Sequence, residues 1–283
     1  MVDAPMKPAP RAGASTFSVK VDTGSRLEGA EKPNNKAQFR SMHPLAAAVL
    51  VAMLAVAGPA ALRAAECPAP HEPRIPPSEQ PALNIDMHKK QLLAYQAGNY
   101  ADDLAVVMTD ARSYVERRAD EVKNPAVVLD IDETSLSNWE NLKDNDFGFI
   151  KSGTCTLQPN MACGFDEWIS MAEAPAIEPT RTFFNAVRAR NISVFFITGR
   201  RNSQRDATLL NLDHAGYQGY AKLVTRPDGD TEHSLVPFKS GERAKIQAAG
   251  YTIIATIGDQ DSDLAGGYAD CGFKLPNPFY FIE

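Results

Sequence analysis

The stretch "AVVLDIDETSLSNW", residues 126–139, joins an apolar run to a cluster of acids. Residues 127–131 are mostly apolar and β-branched, a pattern typical of a strand buried inside a parallel sheet. Asp130, Asp132 and Glu133 then place three carboxylates at the C-terminal tip of this strand. Like charges this close together disfavour one another's ionised forms. The sequence therefore predicts that a cation compensates the acids at the strand tip.

Two further apolar runs also end in polar residues. "NISVFFITGR" (191–200) ends in Thr198, Gly199 and Arg200, and "YTIIATIGDQDSDL" (251–264) contains Asp259 and Asp263. In open α/β sheets, binding sites lie outside the carboxyl ends of the parallel strands. We therefore expect the three strand tips to converge on one site. Carboxylates are hard oxygen ligands that suit Mg²⁺, so we predict a magnesium ion there.

The order of strand and helix patterns between residues 84 and 283 predicts an α/β fold with a doubly wound, Rossmann-like parallel sheet. Regular periodicity is lost from about residue 136 to 179, where Trp139 and Trp168 occur. We expect this segment to be a small cap insertion after the first core strand that supplies substrate contacts. Packing is the commoner role expected for its two tryptophans.

The N-terminal 83 residues are expected to lie outside this domain. Residues 1–43 are polar and without hydrophobic period, which indicates disorder or an over-long start assignment. Residues 44–65 resemble a secretory signal peptide, and residues 66–83 a Pro-rich linker. The apolar run is also about long enough to span a bilayer, so an uncleaved membrane anchor is the alternative.

The chain contains four cysteines, an even number that favours disulfides after a secretory signal. Cys155 and Cys163 lie in one loop and are predicted to pair. Cys67 and Cys271 could then join the N-terminal arm to the C-terminal region. These features predict a periplasmic or secreted protein. A metal site built on the cysteines is the alternative, but no CxxC pair or nearby histidine completes a ligand set.

The charge balance excludes one class of partner. The chain has 29 Lys and Arg against 35 Asp and Glu, a net charge of −6. This balance argues against nucleic-acid binding through a basic face. The sequence also lacks P-loop, GxGxxG and GxSxG motifs, so ATPase, dinucleotide-binding and serine-hydrolase functions have no support.

Four motifs taken together resemble a known family. DIDET, ITGR, FKSGER and GDQDSDL, in this order, look like the haloacid dehalogenase (HAD) superfamily. The resemblance is greatest to its class B acid phosphatases (subgroup IIIB), which include plant vegetative storage proteins and bacterial secreted acid phosphatases. It extends over residues 84 to 283 and implies a Mg²⁺-dependent acid phosphatase that acts on small phosphomonoesters, with a 5′-nucleotidase-like activity as one form of this expectation.

The resemblance also implies roles for individual residues. Asp130 would attack phosphorus to form an aspartyl-phosphate, and Asp132 would act as general acid and then base. The substrate phosphate would be bound by Thr198, Gly199, Arg200 and Lys239. The metal would be bound by Asp130, the carbonyl of Asp132, Asp259 and Asp263.

Several alternatives remain open at this stage. Arg200 could bind substrate or pair with a surface acid, Lys222 competes with Lys239 for the same role, and Thr134 could be only a cap. A receiver-type phosphoacceptor fits less well, because its phosphorylated aspartate lies on a later strand. A non-enzymatic storage or surface-binding protein on the same fold is the alternative function, although such relatives can lack the aspartate that stands here as Asp130.

Overall fold

The computed structural model describes residues 67–68, 84–153 and 163–282. The expected N-terminal extension (1–43), signal peptide (44–65) and most of the linker (66–83) lie outside the described residues. Cys155 does too, so its pairing with Cys163 stays a prediction. In the part of the chain that is described, no helix combines the length and apolar character needed to cross a bilayer.

Five parallel strands form one sheet in the order β3-β2-β1-β4-β5. This arrangement confirms the predicted α/β class. The strands are β1 (Pro125–Leu129), β2 (Ser193–Arg201), β3 (Lys222–Arg226), β4 (Thr252–Gly258) and β5 (Cys271–Lys274). The helices are α1 (Ile85–Ala97), α2 (Tyr100–Ala119), α3 (Trp139–Asp144), α4 (Phe165–Met171), α5 (Glu178–Ala189), α6 (Arg205–His214), α7 (Val236–Ala248) and α8 (Asp261–Leu264).

Both faces of the sheet are covered, as the unbroken apolar character of β1 requires. Val127 and Leu129 belong to a large core cluster with residues of α2 and α5. Ala126 and Val128 belong to a second cluster on the other face, where Ile246 of α7 packs. Successive side chains of a strand point to opposite faces, so one apolar run serves two cores.

The strand order places a topological switch point between β1 and β4. The chain passes from β1 to β2 and β3 on one side, then returns to β4 and β5 on the other. The loops after β1 and β4 therefore lead to opposite sides and leave a crevice at their carboxyl ends, where ligands of such sheets bind. Leu129 is in register with Ile257, so the residues after these two strands emerge side by side.

The segment from 136 to 179 leaves the sheet and returns to where it began. Leu136 forms an antiparallel bridge with Ala176, and the Ser137 N–H donates to the Pro175 carbonyl at 2.9 Å. The described part of this segment, hereafter the insertion, contains α3 and α4.

A disulfide joins Cys67 to Cys271, with Cα atoms 5.6 Å apart. Cys271 is the first residue of β5 and is buried. The sequence raised this pairing as a possibility, and in the structure it ties residues ahead of α1 to the edge of the sheet.

Candidate active site

Three buried carboxylates meet at the switch point. Asp130 directly follows β1, Asp259 directly follows β4, and Asp263 lies on α8. One oxygen of each lies within 4.8 Å of those of the other two. The Asp130 N–H donates to the Ile257 carbonyl at 3.0 Å, which continues the pairing of the two strands into the site. The predicted convergence of the first and last acidic motifs is thus seen in the structure.

Gly258 allows this close approach. A Cβ added at residue 258 would lie 2.2 Å from side-chain atoms of Asp263. The end of β4 therefore has room for Asp263 to fold back only because residue 258 has no side chain.

Lys239 supplies a cation to the acid cluster. Its Nζ donates to Asp130 Oδ1 at 3.0 Å and also bonds Asp263 Oδ1, and its side chain is 4% exposed. Lys222, the competing candidate, is the exposed first residue of β3 and so lies at the opposite edge of the parallel sheet. At least part of the charge compensation expected at the strand tip therefore comes from the protein itself.

The charges of this cluster shift the ionisation of its members. Burial, reinforced by the charge of Asp263, raises the pKa of Asp130 well above its usual value, against the opposing effect of Lys239. Burial alone lowers the pKa of Lys239, but the charges of Asp130 and Asp263 outweigh burial and raise it. The lysine is thus held in its charged form, and the site as a whole favours added positive charge.

Asp259 is fixed by three side chains. Thr134 Oγ1 donates to its Oδ1 at 3.1 Å, while Gln260 Nε2 and Asn277 Nδ2 donate to its Oδ2 at 2.5 and 2.7 Å. Burial and the charge of Asp263 raise the pKa of Asp259 to about 6, although the two amides lower it. Thr134 therefore contacts the site and is more than a cap. Asn277 was not found from the sequence, where only its Pro-flanked position in "LPNPF" distinguishes it.

Asp132 lies beside the cluster and pairs with Arg200. The Arg200 Nη2 is 2.6 Å from Asp132 Oδ1, and its Nε lies 3.0 and 3.2 Å from the two oxygens. The Arg200 side chain is 1% exposed, whereas that of Asp132 is 16% exposed. Of the two roles left open for Arg200, the pairing is observed, but with a site residue rather than a surface acid.

Thr198 and Gly199 lie near the end of β2, shortly after Phe196, which is in register with Leu129 of β1. Thr198 is fully buried, and its Oγ1 accepts the backbone N–H of Arg200 at 3.1 Å. A Cβ added at Gly199 would approach Leu235 to 3.1 Å. The second motif thus lies at the same edge of the sheet as the acids.

Glu133 is buried in an unusual backbone conformation, with φ of 51°. Its oxygens accept from the Asn138 N–H at 2.5 Å, the Asn138 Nδ2 at 2.9 Å and the Tyr280 hydroxyl at 3.0 Å. Burial raises the pKa of Glu133 to about 8 despite these bonds. The third acid of the motif thus joins the loop after β1 to the C-terminal segment.

A family model for the HAD superfamily, subfamily IIIB (acid phosphatase), matches residues 75–283. The chain belongs to this family. This match confirms the family resemblance that the four motifs indicated.

Individual relatives agree with this assignment. The chain is 35% identical over 159 residues to a stem 28 kDa glycoprotein of Glycine max (55% of this chain, 59% of the relative). It is 33% identical over 156 residues to acid phosphatase 1 of Solanum lycopersicum (55% and 58%). The chain thus matches less than two thirds of the length of these curated relatives. Its fold is similar to that of the class C acid phosphatase from Bacillus anthracis, with a TM-score of 0.53, 22% identity, and 68% and 86% of the two chains covered.

Proposed function

We propose that this protein is a Mg²⁺-dependent acid phosphatase that hydrolyses small phosphomonoesters through an aspartyl-phosphate on Asp130. The observation that carries the proposal is the buried cluster of Asp130, Asp259 and Asp263 around Lys239, at the switch point of the sheet. Perturbed carboxylates in such a crevice are typical of catalytic sites. Family membership supports the reaction class.

The residues present fit a magnesium ion. Three carboxylates offer oxygens within 4.8 Å of one another, and Mg²⁺ prefers such hard ligands together with water and substrate phosphate. Asp130, Asp259 and Asp263 would hold the ion, with the backbone carbonyl of Asp132 as a further ligand. When bound, the ion would neutralise phosphate charge and favour the ionised form of Asp130.

Hydrolysis would proceed in two displacements. In the first, an Asp130 carboxylate oxygen attacks phosphorus, the bond from phosphorus to the ester oxygen breaks, and Asp132 gives its proton to the departing alcohol. In the second, Asp132 takes a proton from water, the water oxygen attacks phosphorus, and the Asp130 carboxylate leaves. Asp132 suits this role because it is the most exposed carboxylate among those paired with Lys239 or Arg200.

Other residues would bind the transferring group. Lys239 carries a fixed positive charge beside Asp130, where negative charge gathers as the phosphoryl group moves. Thr198 and Gly199 lie on the neighbouring strand and would offer a hydroxyl and backbone N–H groups to phosphate oxygens. Arg200 forms an ion pair with Asp132. Its first role would therefore be to hold the Asp132 carboxylate, and it would affect the substrate only through Asp132.

We further propose that the protein is secreted or periplasmic and that the segment at 44–65 is a signal peptide. The Cys67–Cys271 disulfide supports an oxidising compartment. The Cys155–Cys163 pairing and the absence of nucleic-acid binding remain parts of this proposal.

The experiment is a screen of phosphomonoesters with the purified chain, including p-nitrophenyl phosphate and nucleotides, at pH 5 to 7. Phosphate release that EDTA stops and magnesium restores supports the proposal. A folded chain that releases no phosphate from any ester would instead favour a storage role, the function named for one relative, vegetative storage protein 2 of Arabidopsis thaliana.

A further inference from the structure

Among the described residues, the Asn138 side chain links the insertion to the carboxylate of Asp132, the proposed general acid. Asn138 is buried at the start of the insertion, and its Nδ2 donates to Asp132 Oδ1 and to Glu133 Oε2, each at 2.9 Å. On its other side, the Nε1–H of Trp168 donates to Asn138 Oδ1 at 2.8 Å. Trp168 lies on α4. The chain of contacts therefore runs from α4 through one amide to the reacting carboxylate.

The tryptophan and the two carboxylates together fix which way the Asn138 amide faces. An indole nitrogen only donates, whereas an asparagine amide has one accepting and one donating end. With Trp168 bound to the oxygen, the NH₂ group must face Asp132 and Glu133. If the amide turned over, its oxygen would face two carboxylates and its NH₂ would face another donor.

These contacts also distinguish the two oxygens of Asp132. Oδ1 accepts from Asn138 Nδ2, Arg200 Nη2 and Arg200 Nε, while Oδ2 receives the longer contact of 3.2 Å from Arg200 Nε. Oδ2 is therefore the less firmly held oxygen of Asp132. Its direction depends on how firmly Oδ1 is held.

We propose that Trp168 and Asn138 are positioning residues that hold Asp132 with Oδ2 directed at the departing oxygen. This inference rests on the proposed function, in which Asp132 protonates the leaving alcohol. It gives the insertion a part in the chemistry in addition to any contact with the substrate.

The test is a comparison of two esters in the Trp168→Phe protein, which keeps an aromatic ring and loses the N–H. We expect kcat for an alkyl phosphate to fall about 10- to 100-fold, as for other misplaced catalytic groups, with KM unchanged. The loss for p-nitrophenyl phosphate should stay within about threefold, since its leaving group departs with little protonation. Trp139→Phe is the matched control, because Trp139 packs on Phe147 and Phe279. This variant should keep its activity on both esters.

A double-mutant cycle with Asn138→Ala separates positioning from general loosening. If Trp168 acts through Asn138, the double variant should lose no more alkyl phosphatase activity than Asn138→Ala alone. Additive losses, or equal losses on the two esters, would overturn the inference.

A crystal structure of the Trp168→Phe protein tests the positioning without any activity. The expected result is a shifted Asn138 side chain together with a turned Asp132 carboxylate, and an unmoved pair overturns the inference. Failure of the wild-type chain to cleave either ester would contradict the proposed function. This outcome differs from those that overturn the positioning role of Trp168, so the two claims can fail separately.

Discussion

Lys239→Met should destabilise the metal-free protein strongly while keeping the side-chain volume. Lys239 is the cation bonded to both Asp130 and Asp263, whose side chains are 7% and 2% exposed. Removing one partner of a buried ion pair typically costs about 3–5 kcal/mol, because the remaining charge stays buried. The carboxylates can escape by taking up protons, which at pH 7 costs about 4 kcal/mol for a group with an ordinary pKa near 4. Whether the carboxylates stay charged or take up protons, the free energy of unfolding should fall by about 3–5 kcal/mol.

Thermal unfolding in EDTA measures this loss. For a domain of roughly 200 residues, each 1 kcal/mol lowers Tm by about 2–4 °C, so the expected decrease is about 6–20 °C. Added magnesium should recover part of it, because the ion binds the folded state and replaces the missing charge. Lys245→Met is the control: Lys245 lies on the same helix, is 73% exposed, and should change stability by less than about 0.5 kcal/mol. An unchanged Tm for Lys239→Met would refute the claim that Lys239 compensates the acid cluster.

Three further outcomes are expected. Asp132→Asn should lower alkyl phosphatase activity by about 10²–10⁴-fold and give a burst with p-nitrophenyl phosphate; an equal loss on both esters would remove its acid role. Asn277→Ala should raise the Kd for magnesium about 10-fold by releasing Asp259, measured by calorimetry, and an unchanged Kd would assign Asn277 to folding alone. Cys67→Ser should lower Tm, since the disulfide closes a loop of about 200 residues worth up to about 5 kcal/mol; an unaltered Tm would show that the bridge adds nothing to stability.

The sheet could be predicted because its strands carry their signal locally. The run at 126–129 is apolar on both faces, and the acids that begin at Asp130 mark its carboxyl end, so neither the class of the fold nor the edge that holds the site needed long-range information. Strand β5 lacks such a signal. It is four residues long, contains Gly272, and is recognised only by its pairing with β4 in the structure.

The site also contains residues that the sequence predicts and residues that only the structure reveals. Asp130, Asp259 and Lys239 lie in motifs whose residue types fit a single chemistry, so sequence could propose them together. Asn277 and Trp168 act through single hydrogen bonds made across many residues of intervening chain. Apart from the prolines that flank Asn277, nothing in their local sequence distinguishes them from a loop asparagine or a packing aromatic, and only the tertiary structure brings them to Asp259 and Asn138.

The central claim is that Asp130 carries the phosphoryl group during turnover. The most direct test is to mix the Asp132→Asn protein with p-nitrophenyl phosphate and magnesium, quench in acid, and map the phosphorylated peptide by mass spectrometry. The expected result is one phosphoryl group on Asp130, absent when Asp130 is replaced by Asn in the same protein. A phosphoryl group on any other residue would contradict the claim, as would substantial turnover by the Asp130→Asn protein.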